Sequence, residues 1–431
     1  MKRRLALILG GLVLLPLSQV AAEGPRVVPH VLPGGLRLLI RQDPNARVVT
    51  VSLQVKSGSR YDTPETAGLS NFVQRVMIRG TTSRSARQIV EAAEDIGGSV
   101  EASADVEYAE IRGGALATHA RALLELIADV AAAPAFPADE MERERRLIVS
   151  QIQTRAETPF SLALDALTAQ LYGSHPLALP TLGRKASVER FGREDLVRHH
   201  RRVYRTGSMV LAVSGGVERD SIQRHAQRLF THMPGGEIDE PAPSEPTPSA
   251  ERRVLDRPAQ QAQVLMGFLG PGIGDPDYAP GKIMSAVLGG GVAGRLFVKL
   301  REERGLAYAL GMVNPARRAP ASFVAYLSTS DDNVERAEWG LRQEIERFRT
   351  DGPSEAELAR AKAYVLGNLA MDRRTNARHA WYLAFFELAG FGWDYPERYA
   401  RALEAVSAAD VTRVARRYLA KPATVVVRPP S

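Results

Sequence analysis

Cysteine is absent from all 431 residues of this chain. Its absence excludes disulfide bridges, cysteine nucleophiles and thiolate metal sites, and it suits an oxidising compartment. The eight histidines give no metal motif either, because none stands four residues from another or beside a carboxylate at ligand spacing. The sequence on its own therefore contains no recognisable metal site.

Dense basic tracts with interleaved aromatic residues are also missing. The chain has 56 Lys and Arg against 49 Asp and Glu, which gives a net charge of +7. Without Lys2, Arg3 and Arg4 the balance is 53 against 49, or +4, and the charges are scattered. Composition therefore argues against nucleic-acid binding.

Only one continuous apolar run stands out, and it lies at the N-terminus. Three basic residues precede a run of 13 residues from Leu5 to Leu17, which is too short to span a bilayer comfortably. Small residues then lead to Ala22 and Glu23. This order predicts a signal peptide over 1–22, so the mature chain is expected to be periplasmic or secreted, without a stable membrane span. The alternative is an uncleaved signal that anchors the chain.

Internal repetition predicts the architecture. Three segments recur at an offset of about 215 residues: REDLVRHHRRVY (193–204) as AADVTRVARRYL (408–419), MVLAV (209–213) as TVVV (424–427), and FPADEMERERRLIV (136–149) as GPSEAELARAKAYV (352–365). A shared offset in three separate places indicates that the chain contains two versions of one domain.

A Pro/Ser/Glu-rich stretch separates the two copies. It predicts an exposed linker over 236–255 between an N-terminal domain (23–235) and a C-terminal domain (256–431). In each copy strands are grouped before helices, as in the alternating segment 47–58 and a further strand near 99–116. This grouping predicts an α+β fold rather than a doubly wound sheet.

The segment GLSNFVQRVMIRGT (68–81) predicts an amphipathic helix that starts near Thr63 and Pro64 and stops at Gly80. Its apolar residues recur at helical spacing: Leu69, Phe72, Val73 and Val76. The opposite face carries Asn71, Gln74 and Arg75. Local chemistry alone predicts that this is a solvated polar face.

That polar face has the spacing of an H-x-x-E-H zinc motif, in which two His hold the ion and the Glu acts as general base. Asn71 and Gln74 offer only weak neutral ligands, and Arg75 brings a fixed positive charge. These residues should not hold zinc.

The glycine-rich segment LGGGVAGRLFVKLREERGLAY (288–308) places Gly289, Gly291 and Gly294 in the G-x-G-x-x-G order of dinucleotide sites. A predicted amphipathic helix precedes these glycines instead of a strand, and no βαβ unit surrounds them. A nucleotide site is therefore not expected.

The chain resembles the pitrilysin/insulinase family of zinc peptidases, in the half-size form similar to subunits of mitochondrial processing peptidase. Six segments in order carry the resemblance: 68–81, IGGSVEASADVEYAEI (96–111), ERERRLIVSQI (142–152), YGSHPLALPTLG (172–183), 288–308 and 352–365. The resemblance implies two homologous domains in tandem, each a mainly antiparallel sheet packed with helices.

The resemblance also implies that the zinc site has been lost. Active family members carry H-x-x-E-H where this chain has Asn71, Gln74 and Arg75, and a further Glu ligand where it has Gln151. All four positions differ, so the chain should bind no cofactor and should not cleave peptides alone. Zinc is expected in a homologous partner subunit that carries H-x-x-E-H.

In the C-terminal half, the resemblance implies that Arg301 and Tyr308 contact substrate in the partner's site, with Gly305 turning the chain between them. It also implies a substrate loop at Gly289, Gly290 and Gly291. Spacing alone instead favours Arg301 as a helix charge paired with a Glu and Tyr308 as a half-buried strand residue.

The expected function is that of a non-catalytic subunit of a two-chain zinc peptidase acting on peptides, as a heterodimer. The alternative is a scaffold or assembly protein of the same fold with no role in proteolysis. The sequence leaves open the substrate preference and whether Asn71, Gln74 and Arg75 have acquired a new binding role.

Overall fold

Two mixed β-sheets, one in each half of the chain, organise the computed structural model, which describes residues 26–242, 244–318 and 320–430. The predicted signal peptide (1–22) lies outside the described residues. Within the described ranges, no helix combines the length and apolarity needed to cross a bilayer.

In the described residues the N-terminal sheet has six strands: β1 (Arg26–Val31), β2 (Arg37–Gln42), β3 (Val48–Val55), β4 (Ser99–Ala104), β5 (Ala109–Leu116) and β6 (Met209–Gly215). Their order is β1-β2-β6-β3-β5-β4, and only β2 and β6 pair in parallel. The single strand expected near 99–116 is wrong. It is a hairpin, because the turn closed by Asp105 N donating to Tyr108 O (2.8 Å) separates β4 from β5.

The C-terminal sheet has five strands within the part of the chain that the structure describes: β7 (Arg252–Asp256), β8 (Ala262–Gly270), β9 (Ala309–Val313), β10 (Ala321–Thr329) and β11 (Ala423–Arg428). Their order is β7-β11-β8-β10-β9, and only β7 and β11 pair in parallel. Strand β7 begins at Arg252, inside the range predicted for the linker (236–255).

Fourteen α-helices lie in the described residues: α1 (Leu69–Met77), α2 (Ala86–Asp95), α3 (Ala120–Ala132), α4 (Ala138–Glu157), α5 (Pro159–Tyr172), α6 (Lys185–Arg190), α7 (Arg193–Val203), α8 (Arg219–Phe230), α9 (Tyr278–Gly289), α10 (Val334–Asp351), α11 (Glu355–Asp372), α12 (Asn376–Leu388), α13 (Tyr395–Ala405) and α14 (Ala408–Tyr418). Phe297–Glu302 forms a π-helical segment.

The predicted duplication is confirmed strand by strand. Without β1, the order β2-β6-β3-β5-β4 has the same pattern of neighbours as β7-β11-β8-β10-β9. Strand β8 starts 214 residues after β3, and β11 starts 214 residues after β6. Each half is a largely antiparallel sheet with helices, so the predicted α+β class is correct.

Each half of the chain contributes one helix that packs on the sheet of the other half. Helix α5 leaves the N-terminal half and packs on β8 and β11 of the C-terminal sheet, where Leu167 and Leu171 join one apolar cluster with Leu265 and Val425. Helix α12 does the reverse and packs on β2, β3 and β6. All residues of β6 are buried because the sheet is covered on both faces. This reciprocal packing holds the two halves against each other.

Candidate functional site

Helix α1 starts later than the sequence predicts. It begins at Leu69 after Gly68, whose φ of 91° lies in the left-handed region, whereas Thr63 belongs to a preceding turn in which its carbonyl accepts from Thr66 N (3.0 Å). A Cβ on Gly68 would lie 2.6 Å from Gly183 Cα. This position therefore requires glycine, both for its backbone conformation and for the close approach of the neighbouring chain.

A buried polar cluster anchors the start of α1. Asp62 accepts from Gly68 N (3.1 Å) and from Ser70 Oγ (2.8 Å), and Ser70 Oγ also lies 3.4 Å from His199 Nε2. Burial raises the pKa of Asp62 to about 7 and lowers that of His199 to about 3. This cluster could not be predicted from the sequence, because Asp62 stands before Thr63 and Pro64 as an ordinary turn residue would.

The polar face of α1 is not solvated, so that interpretation is wrong. Asn71 is 7% exposed and Gln74 is 1% exposed, because α4 and α7 pack on either side of the helix. Gln74 Nε2 donates to Tyr204 Oη (2.8 Å). Asn71 Nδ2 is buried with no hydrogen-bond partner among the described residues.

Arg75 connects α1 to α4. Its Nε donates to Glu144 Oε2 at 2.7 Å and its Nη1 donates to Gln151 Oε1 at 3.1 Å. Arg79 Nε donates to the other oxygen of Glu144 at 2.8 Å. The structure thus brings Arg75 into contact with Gln151, two positions that lie 76 residues apart in the chain.

Glu144 is a further residue of this site that could not be recognised from the sequence. It is fully buried on α4, one heptad before Gln151, and its carboxylate is neutralised by the two arginines. In the segment ERERRLIVSQI (142–152), Glu144 is one of several charged residues, and nothing in the pattern marks it as buried. Its spacing of seven residues from Gln151 corresponds to two helical turns, so this spacing alone predicts that the two side chains lie on the same face of the helix.

This donor set does not fit zinc. No group of three His, Cys, Asp or Glu in the described part of the chain could hold a metal ion. Asn71, Gln74 and Gln151 offer only amide groups, and the guanidinium of Arg75 has no lone pair to donate and would repel a cation. The side chains instead form an ion pair and a hydrogen bond between α1 and α4.

Arg301 and Tyr308 lie on the C-terminal half. Arg301 is exposed on the segment Phe297–Glu302, where its guanidinium carbon lies 4.9 Å from the centre of the Phe297 ring, and it makes no ion pair within the described ranges. Tyr308 is 57% exposed, its backbone N–H donates to Ser328 O at 2.9 Å, and its side chain makes no hydrogen bond to another described residue. Gly305 has a φ of 62° and turns the chain between them.

The three glycines have different environments. Gly289 is the last residue of α9, and a Cβ there would lie 2.1 Å from Met312 N, so it permits close packing against β9. Gly290 follows the helix, and Gly291 has a φ of 80° with open space around it. The neighbouring Val292 is exposed. Only the end of this run is therefore an exposed loop.

The comparisons with known proteins decide the family. Residues 37–185 match the family described as Insulinase (Peptidase family M16), and residues 190–365 match Peptidase M16 inactive domain. An uncharacterized zinc protease of Rickettsia felis is 30% identical over 341 residues, which is 79% of this chain and 82% of that protein. This chain belongs to the insulinase family.

Further relatives agree with this membership. An uncharacterized zinc protease of Bacillus subtilis is 26% identical over 80% of this chain and 84% of its own. A crystal structure of a peptidase M16 inactive domain from Pseudomonas fluorescens superposes with a TM-score of 0.88 at 23% identity, covering 94% of this chain and 98% of its own. A protease from Helicobacter pylori gives 0.87 at 18% identity, covering 94% and 100%. The solved structures support the fold, and the chain is a half-size family member without the zinc motif.

Proposed function

We propose that this insulinase-family chain is the non-catalytic subunit of a two-chain zinc peptidase. The observation that carries the proposal is the contact of Arg75 with Glu144 and Gln151, which puts a guanidinium among the positions where active members bind metal. A chain with this arrangement has no means of activating water for hydrolysis, so the chemistry must come from a second subunit.

The C-terminal half supplies what such a subunit could contribute. Tyr308 and Arg301 are exposed and seven residues apart, and neither side chain donates a hydrogen bond to another described residue. A phenol can donate to the oxyanion of a tetrahedral intermediate, and a guanidinium can hold a substrate carbonyl. Val292 and the loop at Gly291 are further exposed residues of the same half of the chain.

The partner in this proposal is a homologous chain with an intact H-x-x-E-H motif. It binds zinc, and the peptide lies along its sheet edge as an added strand. The present chain forms the opposite wall of the chamber. Export by the segment 1–22 places the heterodimer in the periplasm or outside the cell.

The test is the substitution Tyr308→Phe, assayed in the complex. Loss of one oxyanion donor should lower kcat at least about tenfold, with little change in complex affinity. Tyr364→Phe is the matched control, because Tyr364 is 49% exposed on α11 and lies outside the proposed site. Unchanged turnover for Tyr308→Phe would remove the role in the partner's site.

The scaffold alternative makes a different prediction. If the chain forms a stable complex with its partner but adds nothing to peptide cleavage, Tyr308 and Arg301 are remnants and the chain serves assembly only. The Tyr308→Phe and Tyr364→Phe variants would then behave alike.

A further inference from the structure

An aromatic cavity opens on the C-terminal half, and its lining includes none of the site residues described above. It has a volume of about 730 Å³ and lies between α9, the end of α11, α12 and α13. The chain has only 3 Trp, 12 Tyr and 12 Phe. Seven of these 27 line this one cavity: Tyr278, Trp381, Tyr382, Phe385, Phe386, Tyr395 and Tyr399. The wall of this cavity is therefore rich in aromatic residues.

A half-buried lysine forms part of the cavity wall. Lys282 donates from Nζ to the carbonyl of Asn314, and its Nζ lies 5.2 Å from the centre of the Tyr278 ring. No carboxylate pairs with it among the described residues, although burial lowers its pKa to about 8. An ammonium has three N–H donors, so two remain without a protein acceptor in the described part of the chain.

The other charged side chains of the lining add further positive charge. Arg378 lies over the rings of Trp381 (4.4 Å) and Tyr382 (5.1 Å) and pairs with Asp372 at 2.6 Å. Arg374 stands at the exposed rim. Three cationic side chains against one carboxylate leave a formal excess of two positive charges around an aromatic space.

Two tyrosine hydroxyl groups of the cavity wall are also available as hydrogen-bond donors. The phenol oxygens of Tyr278 and Tyr399 make no hydrogen bond to another described residue, although both rings are packed into the wall. A wall with unused donors, an unpaired ammonium and stacked rings is complementary to an anion with an apolar body.

We propose that this cavity binds an organic carboxylate carried on an aromatic or aliphatic group. The carboxylate accepts from Lys282 Nζ, and the apolar body stacks against Phe386 and Tyr399. The same chemistry is offered by a small free carboxylic acid and by the C-terminus of a peptide that ends in an aromatic residue. This site does not depend on the role proposed for Tyr308.

The experiment compares acids with their neutral amides on the full mature chain. The probes are 3-phenylpropionate and 3-phenylpropionamide, and the tripeptide Ala-Ala-Phe with a free or an amidated C-terminus. Binding is followed by titration calorimetry and by tryptophan fluorescence, to which Trp381 in the cavity wall contributes. We expect each acid to bind at least about tenfold more tightly than its amide, because only the acid brings a negative charge that forms an ion pair with the Lys282 ammonium. Tighter binding of 3-phenylpropionate would indicate a site for a small acid, and tighter binding of Ala-Ala-Phe would indicate a site for a peptide C-terminus.

Lys282→Met should abolish the preference for acids, whereas Lys299→Met, which removes a lysine outside the cavity lining that pairs with Glu303, should leave it intact. Tyr399→Leu should weaken acid and amide alike. The wild-type comparison remains decisive if Lys282→Met fails to fold. Equal affinities for acid and amide, or no binding of either at about 5 mM, would overturn the proposal.

Discussion

The contact between Arg75 and Glu144 is the feature that most clearly separates this chain from a metal-binding one, and a double-mutant cycle measures it. The variants are Arg75→Met, Glu144→Gln and the double variant. In the parent, Glu144 accepts from Arg75 at 2.7 Å and from Arg79 at 2.8 Å, and its side chain is only 1% exposed. Removal of either partner therefore changes the charge balance of a buried group.

The magnitude follows from this geometry. A hydrogen bond to a charged group contributes about 1.5–3 kcal/mol, and Arg75 is mostly buried, so little of its interaction with Glu144 is lost to solvent screening. Because Arg79 still pairs with Glu144 in the Arg75→Met variant, the single change should cost about 2 kcal/mol rather than the larger penalty of an unpaired buried carboxylate. The coupling energy of the cycle should be about 1.5–3 kcal/mol.

The assay is urea denaturation followed by circular dichroism, with the free energy of unfolding compared across the four proteins. The exposed pair Arg87 and Glu91, four residues apart on α2, is the matched control and should couple by only about 0.3–0.5 kcal/mol. If the Arg75–Glu144 coupling is no larger than that of the control pair, the guanidinium does not stabilise the site.

Two further predictions concern the same helix. A variant with zinc ligands at four positions should bind about one zinc ion per chain, measured by elemental analysis after dialysis, whereas the parent should bind less than about 0.1. If the variant binds no zinc, the four side chains do not lie close enough together to share one ion. The four changes are Asn71→His, Gln74→Glu, Arg75→His and Gln151→Glu. For Asp62, burial raises the pKa from 3.8 to about 7, so the folded state favours the neutral acid, and stability present below pH 4 is lost as the pH rises toward 7. Asp62→Asn should therefore gain stability relative to the parent between pH 4 and 7 in urea denaturation, by up to about 4 kcal/mol, and a difference that does not vary with pH would contradict this reasoning.

The duplication could be predicted from the sequence because similar segments recur in the same order at a constant offset of about 215 residues. An offset of 215 from Gly68 leads to Ile283, and Ile283 does lie in α9, the counterpart of α1. The exchange of α5 and α12 could not be predicted in the same way. The periodicity of a helix indicates which face is apolar, but it does not specify which sheet covers that face.

The site was only partly predictable. Helical spacing placed Asn71, Gln74 and Arg75 on one face, but it could not show that α4 and α7 bury that face. The contact with Gln151 agrees with the family resemblance and could not be obtained from local periodicity, since the two positions lie on different helices. Burial depends on tertiary packing, which a single helix does not encode.

The most direct test of the central claim mixes the mature chain with an H-x-x-E-H-bearing homologue from the same genome. Cleavage of a quenched fluorescent peptide is followed for each protein alone and for the mixture, with and without a chelator. The account predicts no activity for this chain alone and chelator-sensitive activity that rises with the amount of this chain until the partner is saturated. Full activity of the homologue alone, unchanged when this chain is added, would contradict it.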